Sequence, residues 1–279
     1  MRLELIKIGV VKIGNIGVAP IIEFLLDERA EREDIDVRVF SSGAKMGKEQ
    51  ANQVVEHVLS FKPELIIFTT PNASLPTPQK VIESLANSKI PSIVVSDAPA
   101  KKAIKEVEEK GLGYFIIEGD AMIGARREFL DPVEMAIFNA EVVKVLAISG
   151  VFNIIQEKID QALESLKAGN PLQLPRLVID AELASNASKF SNPYAKAKAS
   201  AAYDIAKKVA ELNVKGCFMI KEMDRYVLTV ASAHEMLRQA ARLADEAREI
   251  EKYSDAVQRT PHYDDGRILS KKKLFEKPE

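Results

Sequence analysis

The sequence predicts an α/β protein: a parallel, Rossmann-like sheet with an appended helix bundle and a small C-terminal β segment. Three observations carry this. Short, nearly continuous apolar runs recur through the first half of the chain at the spacing of βα units, about 20–30 residues, as buried parallel strands require. Polar Gly/Pro-rich loops follow several of these runs. Helical periodicity then takes over the second half.

The strand-like runs are Leu5–Val11, Val37–Phe40, Leu65–Thr69, Ile93–Val95 and Tyr114–Ile117. Between them lie helical patterns over Pro20–Arg32, Glu49–Phe61, Pro78–Asn87 and Ala100–Lys110, the last stopped by Gly111. Asp131, Pro132 and Glu134 supply a cap, a first-turn proline and an acidic third position for a long helix towards Leu166, with a bend at Gly150. Gly169-Asn170-Pro171 ends it. Asn192-Pro193 opens a second helix through about Leu212, and Ser232-Ala-His-Glu235 reads as a capping box opening a third through Tyr253. Gly216–Ile220 and Tyr226–Thr229 read as a short hairpin between them. The tail carries an Asp265-Gly266 turn and a basic run at Lys271–Lys273. The expected segments are an α/β cofactor-binding domain at 1–125, a helix bundle at 126–253 with the hairpin near 216–229, and a C-terminal β segment at 254–279.

Composition narrows the class. The chain has 279 residues, an apolar fraction of 47% and a net charge of −2, enough core for a globular protein and no basic excess for nucleic acid or an anionic membrane. Cys217 is the sole cysteine, which suits a reducing compartment and excludes an internal disulfide. No apolar run reaches the roughly 20 residues of a membrane helix. The expectation is a soluble, cytoplasmic protein.

Loops after parallel strands emerge at one edge, where ligands of open α/β sheets bind beside the change in strand order. Lys12-Ile-Gly14-Asn15-Ile-Gly17, Thr70-Pro71-Asn72 onward to Pro78, and Ser96-Asp97-Ala98-Pro99 are therefore expected to share one crevice. Small residues let a ligand approach the backbone, Lys12 adds charge, and the helix N-terminus at Gly17 favours an anion. A dinucleotide fingerprint is not met: Lys12 stands at the first glycine position, and Val39-Phe40-Ser41-Ser42-Gly43 offers no acid for a ribose. The stretch from Asp120 to Asp131 is the densest cluster of charge beside glycine and methionine. Arg126 and Arg127 could clamp a carboxylate or amide edge, and Asp120 or Glu128 could accept from an amino-pyrimidine; Asp131 reads as a helix cap. His57, His234 and His262 are scattered and give no metal spacing, so no metal is expected; no Gly-x-Ser-x-Gly elbow marks a nucleophile, and Cys217 reads as a small hydrophobe in an apolar strand.

These segments together resemble one family. Lys12-x-Gly14-Asn15-x-Gly17, Leu25–Ala30, Pro71-Asn72-Ala73 with its following prolines, the run 120–137, the runs 192–199 and 230–236, and Arg259–His262 are all similar to archaeal coenzyme F420-dependent methylenetetrahydromethanopterin dehydrogenases. The resemblance covers essentially the whole chain. It implies reversible hydride transfer between 5,10-methylenetetrahydromethanopterin and coenzyme F420, a deazaflavin, forming methenyltetrahydromethanopterin and reduced F420 in methanogenic one-carbon metabolism. It implies a homohexamer built as a trimer of dimers. The deazaflavin would use Lys12, Gly14, Asn15, Gly17, Pro71, Asn72, Asp97, Ala98 and Pro99, its phosphate tail meeting Lys12, Gly14 and Gly17. Asp120, Arg126, Arg127 and Glu128 would face the tetrahydromethanopterin substrate, with Glu128 the candidate acid–base group. Two other readings stay open: an NAD(P)-linked methylenetetrahydrofolate-type dehydrogenase, and a non-enzymatic α/β ligand-binding oligomer.

Overall fold

The computed structural model describes residues 5–279; residues 1–4 of the first expected segment lie outside the described residues. The chain runs β1 (Ile6–Lys12), α1 (Val18–Leu26), β2 (Ile35–Ser41), α2 (Lys48–Ser60), β3 (Leu65–Thr69), α3 (Pro76–Ser88), β4 (Ser92–Asp97), α4 (Ile104–Glu109) and β5 (Gly113–Ile117). A six-stranded sheet of order β2-β1-β3-β4-β5-β6 results, with every pairing parallel. The order reverses between β1 and β3, which makes their junction the switch point.

Alternation along each strand divides the apolar side chains between two faces. Ile8, Val10, Leu65, Ile67, Ile93, Val95, Phe115 and Ile117 face one core; Val11, Ile66, Phe68, Val94, Tyr114 and Ile116 face the other, against α2, α3 and α4. Because both faces are covered, the strands can be apolar throughout.

α5 (Pro132–Ser149) and α6 (Val151–Lys167) break at Gly150, whose φ of 110° is open to glycine at little cost. Their axes turn by 70°. The chain then returns to the sheet as β6 (Arg176–Ile179), a strand the sequence reading left out. After α7 (Ala181–Ala187) come α8 (Pro193–Val214) and α9 (Met223–Tyr253). Ala199, Ala202, Ala206, Ala233, Ala240 and Ala244 are all fully buried, and their small side chains let the backbones of these two long helices approach closely. The first core is continuous from β1 and β3 through α5 to Ala202, Tyr203 and Leu237, so sheet and bundle share it across position 125.

The hairpin expected at 216–229 does not form. Lys215–Met219 makes a π-helical turn, and α9 already begins at Met223. Tyr226, Val230, Ala233 and Leu237 are buried at helical spacing, and that packing overrides their β propensity. For the same reason Ser232 is no cap: its hydroxyl donates back to the Leu228 carbonyl inside the helix, at 2.7 Å.

The tail forms antiparallel bridges between Arg259 and Lys271 and between His262 and Ile268. His262 anchors it. The ring is 1% exposed and lies between Glu28 (3.0 Å) and Asp160 (3.1 Å). Burial opposes its charge, but the two carboxylates prevail and hold its pKa at about 9.

Candidate functional site

Three loops at the strand C-termini are stitched into one rim. Ile13 donates its amide to the Thr69 carbonyl at 3.0 Å. The Ser96 hydroxyl donates to the Thr70 carbonyl (2.7 Å) and accepts the Ala73 amide (3.0 Å). Gly14 has φ +84°, and a Cβ there would lie 2.9 Å from Met46 Sδ and 3.1 Å from Pro71 Cδ, so it holds the first loop against the second. Of the residues expected to share a crevice, Asn15, Gly17, Pro71 and Asp97 line one narrow recess together with Asp120. It adjoins a larger cavity of about 370 Å³ between the strand ends and α8, walled by Asp97, Ala98, Pro99, Asp120, Met122, Ala210 and Val214. That is the size of a small ligand site.

Asp120, expected to face the substrate, is engaged by backbone amides. Its Oδ1 accepts the Gly17 amide (3.0 Å) and its Oδ2 the Val18 amide (2.8 Å). The protein's own carboxylate thus fills the N-terminus of α1, where the sequence reading seats a cofactor phosphate against Gly17. Burial pushes this carboxyl up to about 7, against the pull of both amides.

Asp97 closes β4 and is 6% exposed. Its Oδ1 has no hydrogen-bond partner among the described residues, and neither has the nearby Thr70 hydroxyl. Burial first, then repulsion from Asp120, raises the Asp97 carboxyl well above the usual carboxylate range.

Glu118, which the sequence reading missed, sits on the same wall between Lys101 and Lys207, the latter at 2.7 Å. Burial pulls its pKa up, but the two ammonium groups outweigh it and hold the carboxyl below its ordinary value. Its position directly after the β5 run Tyr114–Ile117 was the available signal.

The loop from Asp120 to Asp131 is irregular and bolted to the bundle. Asn213 donates to the Met122 carbonyl at 2.6 Å. The Gly124 amide donates to His234 Nε2 at 3.2 Å, which fixes the neutral tautomer with Nδ1 donating to Glu134 at 2.7 Å. Burial lowers the His234 pKa in the same sense. Arg126, expected as a substrate clamp, is tied to the bundle: its guanidinium donates to the Gly216 and Ile220 carbonyls, both at 2.9 Å, and lies 4.0 Å over the Tyr226 ring. Those carbonyls lie around the π-helical turn, where the regular helical ladder is broken. Arg127 and Glu128 are exposed and outside both cavity walls. Asp131 caps α5 by accepting the Glu134 amide at 2.7 Å.

Of the other expected contacts, Asn72 Oδ1 is engaged in its own turn by the Ser74 amide (3.0 Å) and hydroxyl (2.6 Å). Lys12 is partly buried at the C-terminal end of β1. Cys217 lies in the π-helical turn rather than in a strand, half-buried, and burial pushes its thiol up.

Comparison with known proteins gives one consistent result. The family described as methylene-5,6,7,8-tetrahydromethanopterin dehydrogenase matches residues 6–279. An F420-dependent methylenetetrahydromethanopterin dehydrogenase of Archaeoglobus fulgidus is 58% identical over 98% of this chain and 99% of its own length. One from Methanocaldococcus jannaschii is 54% identical over the same shares. A solved structure of an F420-dependent methylene-tetrahydromethanopterin dehydrogenase in complex with methylene-tetrahydromethanopterin and coenzyme F420 superposes with a TM-score of 0.96. It is 49% identical and covers 99% of this chain and 100% of that one.

Proposed function

The chain belongs to the methylene-5,6,7,8-tetrahydromethanopterin dehydrogenase family, and from that premise we propose where and how its own residues serve the reaction. The protein is an oxidoreductase that passes a hydride reversibly between methylenetetrahydromethanopterin and coenzyme F420. We place the two ring systems in the cavity between the strand ends and α8. The observation that carries this placement is the cavity itself, largely apolar and lined at the C-terminal ends of β4 and β5 by Asp97, a 6%-exposed acid whose Oδ1 has no hydrogen-bond partner among the described residues.

When bound, the methylene bridge supplies the hydride and the deazaflavin accepts it, so the chemistry resides in the two substrates. The chain's part is to hold them in contact and keep water out. Ala98, Pro99, Met122, Ala210 and Val214 offer apolar surface to flat rings. Glu118, held between Lys101 and Lys207, places charge at one side of the cavity, where a cofactor's anionic tail has two ammonium groups within reach. Asn15, Gly17 and Pro71 line the adjoining recess, and with Lys12, Gly14 and Asn72 of the same two loops they extend the deazaflavin site in this reading. Arg127 and Glu128, exposed at the domain junction, remain positioned to meet the pterin's outer edge. A nicotinamide dinucleotide fits less well, because Asp120 occupies the helix terminus its pyrophosphate would need.

The reading extends to the assembly and compartment. No single helix among the described residues is long and apolar enough to cross a membrane; a cytoplasmic location accords with that. Val133, Ile137, Phe218, Met219, Met223 and Leu228 are exposed on elements that pack together, which supports a homo-oligomer, read as a hexamer of three dimers. An anaerobic assay with methylenetetrahydromethanopterin tests the activity: the oxidised deazaflavin absorbance should fall with F420, while NAD(P) should give no reduction. Reduction of NAD(P) without turnover of F420 would overturn the reading.

A further inference from the structure

The unused oxygen of Asp97 points to a specific task, which rests on the placement of the reacting rings given above. We propose that Asp97 is the positioning residue of the reaction: its carboxyl holds the N–H/C=O edge of a pyrimidinone ring and so sets the ring against Ala98, Pro99 and Met122.

Apart from its own backbone amide, the described surroundings give the Asp97 carboxyl no partner. Ser96 is committed to Thr70 and Ala73, and both oxygens of Asp120 are committed to the Gly17 and Val18 amides. The charged groups that face the same cavity are Asp120 from the loop after β5, Glu118 at the end of β5, and Lys207 and Glu211 from α8. Lys207, and Lys101 from the turn after β4, are held by Glu118, while Glu211 is held by Lys208. Among the described residues no cation stands against Asp97. A carboxylate buried without a cation is costly, whereas the neutral acid is tolerated. The raised affinity of Asp97 for its proton follows from that burial and from Asp120. A neutral carboxyl presents a donor and an acceptor side by side. A pyrimidinone edge presents the complementary acceptor and donor, so two parallel hydrogen bonds form and fix the ring's in-plane orientation. Deazaflavin and pterin both carry such an edge; separate titrations identify which one Asp97 holds.

The test measures anaerobic binding of F420 alone and of tetrahydromethanopterin alone, by calorimetry, to wild type, Asp97→Asn and Asp97→Ala between pH 6 and 9, with thermal unfolding as the folding control. The amide keeps a donor and an acceptor at every pH; alanine keeps neither. Asp97→Ala should weaken one ligand by about tenfold or more and leave the other within about twofold. Asp97→Asn, which keeps both a donor and an acceptor, should bind that ligand near wild-type strength across the range. Should Asp97→Ala unfold, Asp97→Leu, which fills the same space without a donor or an acceptor, takes its place in the comparison. Equal binding of both ligands by wild type and Asp97→Ala, or loss in Asp97→Asn as large as in Asp97→Ala, overturns the proposal and leaves the functional reading standing. Wild-type protein that binds neither ligand overturns both.

Discussion

Asp120 accepts the backbone amide of Gly17 at 3.0 Å across 103 positions of sequence. The loop after the fifth strand thereby caps the helix after the first, and the edge of the sheet is closed by one carboxyl. Gly17 is small because it must be: a Cβ there would lie 2.6 Å from Asp120 Oδ1.

The pH dependence of that cap has a definite sign. The folded carboxyl titrates at about 7, above an ordinary aspartate near 3.9, so the folded state binds the proton more tightly. Its contribution to stability is full below about pH 4 and is lost as pH rises through 7. Asp97, also raised, acts in the same sense. Asp120→Asn does not titrate. Urea unfolding at pH 5 and pH 8 should show the variant gaining on wild type by on the order of 2 kcal/mol between the two. A variant that loses ground as pH rises would contradict this.

Arg126 and its neighbour Arg127 should separate cleanly. Arg126→Ala removes two hydrogen bonds to the carbonyls around the π-helical turn and should cost about 1–3 kcal/mol in stability. Arg127→Ala, at an exposed position, should leave the melting temperature within about 2 °C and raise the pterin KM. For Glu128→Gln the same pattern is expected. Loss of one limb of its pH–rate profile at unchanged KM would instead make Glu128 an acid–base group.

Tyr203 bolts the bundle to the sheet. Its hydroxyl accepts the Gly119 amide at 2.9 Å and donates to the Ile179 carbonyl, joining α8 to the ends of β5 and β6. Tyr203→Phe preserves the ring but strands the buried Gly119 amide, since the carbonyl keeps a second donor in Glu118. A cost of about 1–3 kcal/mol is expected in chemical denaturation. A change under about 0.5 kcal/mol would show that the amide finds another partner.

The tail anchor titrates in a different window. His262 has a folded pKa of about 9 against an ordinary value near 6.5, so its stabilisation is full below about pH 6.5 and disappears as pH rises through 9. Proteolysis of the segment after Tyr253 should accelerate between pH 7 and pH 10 in wild type. In His262→Gln it should be fast, and flat once corrected for the protease's own pH profile. Equal rates for the two proteins at pH 7 would remove His262 as the anchor.

Elements whose signals are local were legible in the sequence. The apolar runs place β1, β3, β4 and β5 to within two residues, Gly150 marks the break between α5 and α6, and Asp131 is the cap its spacing implies. What was missed depends on distant partners. β6 has four residues and becomes a strand only by pairing with Tyr114–Ile117. The 216–229 segment has β-branched and aromatic residues, yet it divides between the π-helical turn and the first turns of α9, where Tyr226 is buried. In the site, the glycines and prolines revealed the rim, because turn chemistry is local. The roles of Asp120 and Arg126 were hidden, because the amides and carbonyls that claim them lie about 90 to 100 residues away.

The central claim is the seat of the two rings. A crystal structure of this protein with F420 and methylenetetrahydromethanopterin tests it most directly. The account predicts both ring systems between the strand ends and α8, in contact with Ala98, Pro99 and Met122, with a ring edge on Asp97 and the α1 terminus still held by Asp120. Rings seated elsewhere, such as the polar groove of Asp27, Arg29, Arg32 and Asp36, or an anion displacing Asp120 from Gly17, would contradict it.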